Sequence, residues 1–386
     1  MNKKLLLAAF SAALVAPLAA NAGITVYGHM NAELAQETSV IDTNGDGVNN
    51  GDDHGGFTVE DNARGRVGIK GSEDLGGGLK GIAQAEWKID TTQGGQGVGQ
   101  RVAYAGLKGG FGTFQIGKLK TPYKYFGGVK YDPFVTTNLE ARKNGGMSGG
   151  SAGKFDGADA SSSFGHNSFQ ADSLGYISPN WGGLKIWAVL GLDQKGDDRN
   201  KEDTCTDDDG CTGAGGGNYG DYQLGLKYGM KGAVPWEVGF VQNLNASRDD
   251  TTAGRGDVVA FKVFGSVGFK TGGLKHKIVL QNEGITESQN AAGASERTEG
   301  LLFLGYHLGL GKTTIVAQGS TGVVDYDVVG GEDQTVQYLA VGAVHKFSKK
   351  TRVYGGYRSS TWTDFGGTLD AEKAETAITV GIRKDL

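Results

Sequence analysis

The sequence predicts an all-β protein, a 16-stranded antiparallel β-barrel that crosses a membrane with its strands. Three observations carry this. Past an apolar run at 5–19, residues 23–386 contain no stretch of 18 or more apolar residues, so a membrane crossing must be made by strands, whose signal is spread over alternate positions. Hydrophobic residues make up 38% of the chain, low for a globular core of this length but suited to a barrel that is apolar only on its outer face. Turn signals cut the chain into segments whose connections alternate between very short and long, the sidedness of an outer-membrane barrel with tight periplasmic turns and long external loops.

The first 22 residues read as a signal peptide: Lys3 and Lys4, the apolar run, then Ala20-Asn21-Ala22 as a small-x-small cleavage site. One barrel domain over 23–386 follows. Its strands are expected at 23–35, 62–73, 79–91, 98–108, 111–118, 172–178, 184–193, 219–228, 234–246, 255–270, 274–286, 296–308, 312–325, 332–347, 351–362 and 372–386, each long enough to cross when tilted. Period-two alternation supports them: Trp236, Val238, Phe240 and Leu244 share one face, with Glu237, Gly239, Asn243 and Asn245 on the other. The last segment sets Ile378, Val380, Ile382 and Leu386 on one face, interrupted by Lys384. A soluble sandwich or propeller also alternates, but it does not explain the sided loop lengths.

Composition excludes other classes. With 69 Gly but only 5 Pro, and 9% aromatics, the chain does not read as disordered, and a formal charge of −5 gives no reason to expect nucleic acid. Gly311-Lys312-Thr313 has Tyr306 where a phosphate loop needs its first Gly, and no helical pattern follows Gly76, Gly78 and Gly81, so neither is a nucleotide site. The six His residues are scattered, none beside an obvious Ser or carboxylate pair.

The stretches at 63–76, 100–109 and 111–118, with Ile24-Thr-Val-Tyr-Gly28 and Leu174-Gly-Tyr-Ile-Ser-Pro-Asn-Trp-Gly-Gly183, resemble the general diffusion porins of Gram-negative outer membranes. The resemblance implies a homotrimer of water-filled pores for ions and small hydrophilic solutes, seated among outer-membrane lipid and lipopolysaccharide. It also implies an inward-folded third external loop, here 120–171, that narrows the lumen. Family members usually finish on Phe, whereas this chain finishes on Leu386, also apolar and on the outward parity.

In such a pore, arginines on the wall face carboxylates on the loop. The matching wall residues are Arg66 and Arg101, with Arg64 on the face of Arg66 and His29 where the first strand often carries a basic group. Asp132 and Glu140 are the best loop carboxylates, ahead of Asp156 and Asp159. The bland alternative for each is a solvated lumenal side chain. Lys120, Lys124, Lys130, Arg142, Lys143 and Lys154 outnumber the loop's acids, so a mild anion preference is expected.

Two external loops carry other motifs. Asp42, Asn44, Asp46, Asn50 and Asp53 fall at the oxygen-ligand positions of a twelve-residue calcium loop, with Gly47 at the sharp turn and Val48 offering its carbonyl. A structural calcium ion that stiffens the loop is one reading, and a polar turn cluster is the other. Cys205 and Cys211 lie six apart and are expected to pair as a disulfide, since zinc would need two further ligands nearby. No cofactor is required. The expected function is passive diffusion through an outer-membrane channel, with a surface adhesin or structural barrel, or a barrel lipase, as the alternatives.

Overall fold

Strand pairing runs unbroken around the molecule in the computed structural model, which describes residues 23–49, 54–61, 65–92, 99–148, 167–192, 222–245, 255–289, 296–325, 332–364 and 368–386. The strands are β1 (Gly23–Asp42), β2 (His54–Glu60), β3 (Gly65–Gly76), β4 (Leu79–Ile89), β5 (Gln100–Gly109) and β6 (Gly112–Lys120). Next come β7 (Phe169–Ile177), β8 (Leu184–Gly191), β9 (Tyr222–Met230), β10 (Trp236–Asn245), β11 (Arg255–Thr271) and β12 (Leu274–Gln289). The chain closes with β13 (Arg297–Leu310), β14 (Thr313–Asp325), β15 (Gln334–Lys346), β16 (Thr351–Thr363) and β17 (Glu372–Asp385). All pairings are antiparallel, and β17 returns to β1, from His29 opposite Asp385 to Asp42 opposite Glu372.

The barrel has sixteen staves because β2 and β3 are two lengths of one. β2 pairs with the far part of β1, Glu33 opposite Glu60, and β3 with its beginning, His29 opposite Arg66. Asp61 sits at the interruption, 2% exposed. Its carbonyl accepts from Asn31 Nδ2 at 2.6 Å and its carboxylate from Thr91 N at 2.8 Å. β1 thus runs seven residues past the expected strand end. Its outward positions there begin with polar Gln36 and Thr38, which break the apolar stripe before Val40 resumes it and β2 adds Phe57 and Val59, all three exposed.

Inside the membrane band the alternation is clean. On β13, Leu302, Leu304 and Tyr306 point outward and are exposed, while Glu299, Leu301, Phe303 and His307 point inward and are buried. Ile378, Val380 and Ile382 give β17 the same outward stripe, 49–60% exposed to what is, for a barrel of this kind, lipid. Aromatic residues collect beside the short turns: Phe111 with Phe114 and Tyr176, Tyr228 with Trp236, Phe269 with His276 and Tyr306. That is the girdle expected at one membrane interface.

The barrel's core is made by the long connection after β6. It opens with a single helical turn, α1 (Pro122–Tyr125), and continues through short 3-10 turns at Gly128–Lys130 and Ala141–Lys143. Tyr123, Tyr131, Phe134, Leu139 and Met147 of this loop are fully buried, packed with wall residues that include Trp187, Phe264, Phe303, Tyr338 and Trp362. Each such side chain contributes roughly 1.5–3 kcal/mol, so the loop is held to the wall as firmly as a domain core. Close approach demands glycine at one point. A Cβ on Gly127, at φ +62°, would stand 2.7 Å from Gln281 Oε1, and the next amide, Gly128 N, donates to that oxygen at 2.6 Å.

Candidate pore constriction

Two residues placed by their strand register, Arg66 on β3 and Arg101 on β5, converge on a third between them. Glu86 on β4 faces Gly68, so its carboxylate lies diagonal to Arg66, and an irregularity between Glu86 and Trp87 leaves Arg101 as the extra residue of β5, aimed inward. Arg101 Nε donates to Glu86 Oε1 at 2.9 Å, and Arg66 Nη1 lies 3.6 Å from the same oxygen. The other carboxylate oxygen accepts the Tyr27 hydroxyl at 3.0 Å. Tyr27 can reach because its ring lies over Gly68, where a Cβ would stand 2.5 Å from it. Gln84 joins Tyr27 to Tyr104, completing a polar patch on the inner wall.

More positive charge surrounds this patch. Lys120 lies within electrostatic reach of Glu86, Arg66 and Arg101, and Arg383 of β17 within reach of Arg66. On the loop, burial pulls the Lys130 ammonium below its usual value, and Arg66 and Lys227 add to the effect. Aromatic rings separate the cations: Phe169 receives Arg101 at 4.8 Å and Lys124 at 4.2 Å, and Tyr125 receives Lys120 at 5.7 Å and Lys130 at 5.5 Å.

Asp132 and Glu140 are placed differently from the expectation. They do not stand out toward the arginines; they are 3% and 0% exposed, turned into the loop's own fold. Asp132 accepts from Phe134 N and Ala141 N, both at 2.8 Å, and from Gln318 Nε2 of β14 at 2.9 Å. Glu140 accepts from Thr136 N at 2.7 Å and from Arg142 Nε at 3.2 Å. The physical reason is that an irregular loop leaves many amide N–H groups unpaired, and these two carboxylates satisfy them. Burial, with Glu140 nearby, pushes the Asp132 carboxyl up to about 7 against those three donors.

Asn138 is the loop's main polar anchor, a residue the sequence reading did not single out. Its N–H donates to Glu33 at 2.8 Å, its Nδ2 to Glu60 at 2.6 Å and to Glu37, and its Oδ1 accepts from Arg358 at 3.2 and 3.3 Å. Tyr338 Oη donates to Leu139 O at 2.6 Å, Ser360 Oγ to Asn144 O at 2.8 Å, and the Tyr123 hydroxyl to Glu283 at 2.9 Å. These contacts fix the loop to β1, β12, β15 and β16, away from the Arg66–Glu86–Arg101 wall.

The remaining candidates divide. His29 lies opposite Arg66 on the inward face, 3% exposed. Arg64 lies outside the described residues, as do Asn50, Asp53, Asp156, Asp159, Cys205, Cys211 and residues 1–22. Asp42 caps its own loop, accepting from the backbone N–H of Asn44, Gly45 and Gly47 at 2.7–3.1 Å, while Asp46 accepts from Val48 N at 2.8 Å and Asn44 Nδ2 at 3.0 Å. Among the described residues no group of three or more His, Cys, Asp or Glu is arranged to hold a metal.

A family model described as Gram-negative porin matches residues 7–364. The chain belongs to that family. It is therefore an outer-membrane channel for passive diffusion of ions and small hydrophilic solutes, and not an enzyme. Among curated relatives, the major outer membrane protein P.IB of Neisseria meningitidis serogroup B (strain H44/76) is 27% identical over 359 residues, 90% of each chain. P.IB of Neisseria gonorrhoeae is 39% identical over 124 residues, 32% of this porin and 33% of that protein. Among solved structures, an anion-selective porin from Comamonas acidovorans aligns with a TM-score of 0.63 at 19% identity, covering 95% of this porin and 100% of that chain. In-vitro folded OmpT of Vibrio cholerae, in its trimer form, gives 0.59 at 14% identity over 95% and 99%. At these identities the likeness speaks to the fold.

Proposed function

We propose that this porin is mildly anion-preferring and that its passage runs between the inward loop and the wall of β3–β6. The charge balance at Glu86 carries the reading. Arg66 and Arg101 share that one carboxylate, with Lys120 and Lys130 close by and Arg383 beyond them paired to Asp385 at 2.7 Å, while Asp132 and Glu140 are turned into the loop. A pore lined by an excess of one charge concentrates its counter-ions. The reversal potential of the refolded protein in a planar bilayer under a potassium chloride gradient tests this. An anion-sided value supports the reading; a cation-sided one overturns it.

A homotrimer embedded in outer-membrane lipid and lipopolysaccharide is part of the same proposal, supported by the outward apolar face and the family. Conductance steps in threes test it. Residues 1–22 are proposed to be a cleaved export signal, and Cys205 and Cys211 a disulfide, both on sequence grounds. Calcium at Asp42, Asn44, Asp46, Val48, Asn50 and Asp53 is proposed on spacing alone, and calorimetry with calcium on the intact protein and on Asp46→Asn tests it.

A further inference from the structure

Below the constriction, where β1 begins and the short β3–β4 and β5–β6 turns lie, the inner wall holds a pocket of about 420 Å³. Three lysines line it, Lys70, Lys80 and Lys108, together with Thr25, Ser72 and Thr113. No carboxylate lines it. Lys80 stands directly opposite Lys108 across the β4–β5 ladder, a juxtaposition in which like charges, about 5 Å apart at Cβ, destabilise the sheet unless something neutralises them. Among the described residues none of the three lysines has an ion pair; Lys70 instead lies 5.5 Å from the centre of the Tyr27 ring. Asp74, opposite Lys80 on the other side, is turned to its own hairpin, accepting from Gly76 N at 2.9 Å.

We propose that this pocket is a binding station for a multivalent oxyanion, a phosphate or a small polycarboxylate, at the periplasmic mouth. The opposed ammonium groups of Lys80 and Lys108 hold its charge from two sides. Lys70 closes a third, and the hydroxyls of Ser72, Thr25 and Thr113 donate to the remaining oxygens. A monovalent anion would leave two of the three cations unneutralised, so the preference is for higher charge. Lys70 lies four positions along β3 from Arg66, about 13 Å, so the station would be a second stop on the path of an anion already favoured at the constriction. The proposal rests on the anion-preferring reading, but a separate set of side chains carries it.

The test is the single-channel chloride current with inorganic phosphate, and in a second series citrate, added to either side. The expected result is a saturable reduction, stronger from the short-turn side, whose half-maximal concentration rises about tenfold in Lys80→Gln/Lys108→Gln, as loss of two charges near contact implies. Lys80→Arg/Lys108→Arg keeps the charge and is expected to keep the block, which separates lost binding from a disturbed barrel. The reversal potential in potassium chloride is expected to stay anion-sided in all three proteins. A cation-sided wild type overturns the constriction reading, whereas an anion-sided wild type without a saturable phosphate or citrate effect overturns the station alone. So does a block that survives Lys80→Gln/Lys108→Gln but is lost in Arg66→Gln/Arg101→Gln, since the oxyanion would then sit at the constriction.

Discussion

Arg101 and Glu86 are joined across the β4–β5 ladder by a hydrogen bond of 2.9 Å from Nε to Oε1, and Glu86 is 2% exposed. The pair sets the charge of the inner wall, because the same oxygen lies 3.6 Å from Arg66. One carboxylate thus offsets part of two guanidinium charges.

Glu86→Gln is therefore expected to shift the channel's ion preference toward anions. Removing a unit charge about 4 Å from a passing ion in a water-filled lumen is worth about 1 kcal/mol, so the chloride-to-potassium permeability ratio is expected to rise by up to about fivefold. The reversal potential of the variant, measured beside that of the intact protein, checks this.

Asn138→Ala loosens the inward loop. The change takes its amide from Glu60, Glu37 and Arg358 at once, and each buried polar group left without its partner costs about 1–3 kcal/mol. Greater open-channel current noise and a lower unfolding temperature are expected, with the sign of the ion preference unchanged because Arg66 and Arg101 are untouched.

Much of this architecture was legible. The short turns and the period of two located all sixteen staves, because lipid on one side and water on the other impose alternation wherever the strand is in the membrane. The alternation is interrupted just beyond Ala35, where β1 has polar Gln36 and Thr38 on its outward face; it resumes with Val40, and with Phe57 and Val59 on β2, in runs too short to stand out from the Asn/Asp/Gly-rich stretch between them, so the extension of β1 and the whole of β2 read as loop. Glu86 could have been found. Lys80, Gln84, Glu86 and Lys88 share the polar face of β4, and the register shift at Asp74–Gly76 sets Glu86 opposite Gly68, one inward position from Arg66, where an unshifted count from the turn at Gly77 and Gly78 would set it opposite Ile69. The orientation of Asp132 and Glu140 could not, since an irregular loop has no period, and amides two to nine residues away decide where each carboxylate turns.

Asp132 makes the loop's hold pH-dependent. Burial pushes its carboxyl up to about 7, above the ordinary carboxylate value, so the folded loop favours the neutral acid. The resulting stability is complete below about pH 4, where the unfolded chain is also protonated, and is lost as pH rises through about 7. Unfolding temperature is expected to fall between pH 5 and pH 8, and Asp132→Asn is expected to flatten that dependence. An unchanged slope in the variant would assign the effect to another group.

If Arg66 and Arg101, facing the lumen beside Glu86, set which ions pass, reversing their charge must reverse the preference. The reversal potential of Arg66→Glu/Arg101→Glu under a potassium chloride gradient tests it most directly, with the oligomer's conductance steps showing that the barrel has assembled. An anion-sided value is expected for the native channel and a cation-sided value for the variant, whereas an assembled variant that keeps the native anion-sided value would show that other groups set the preference.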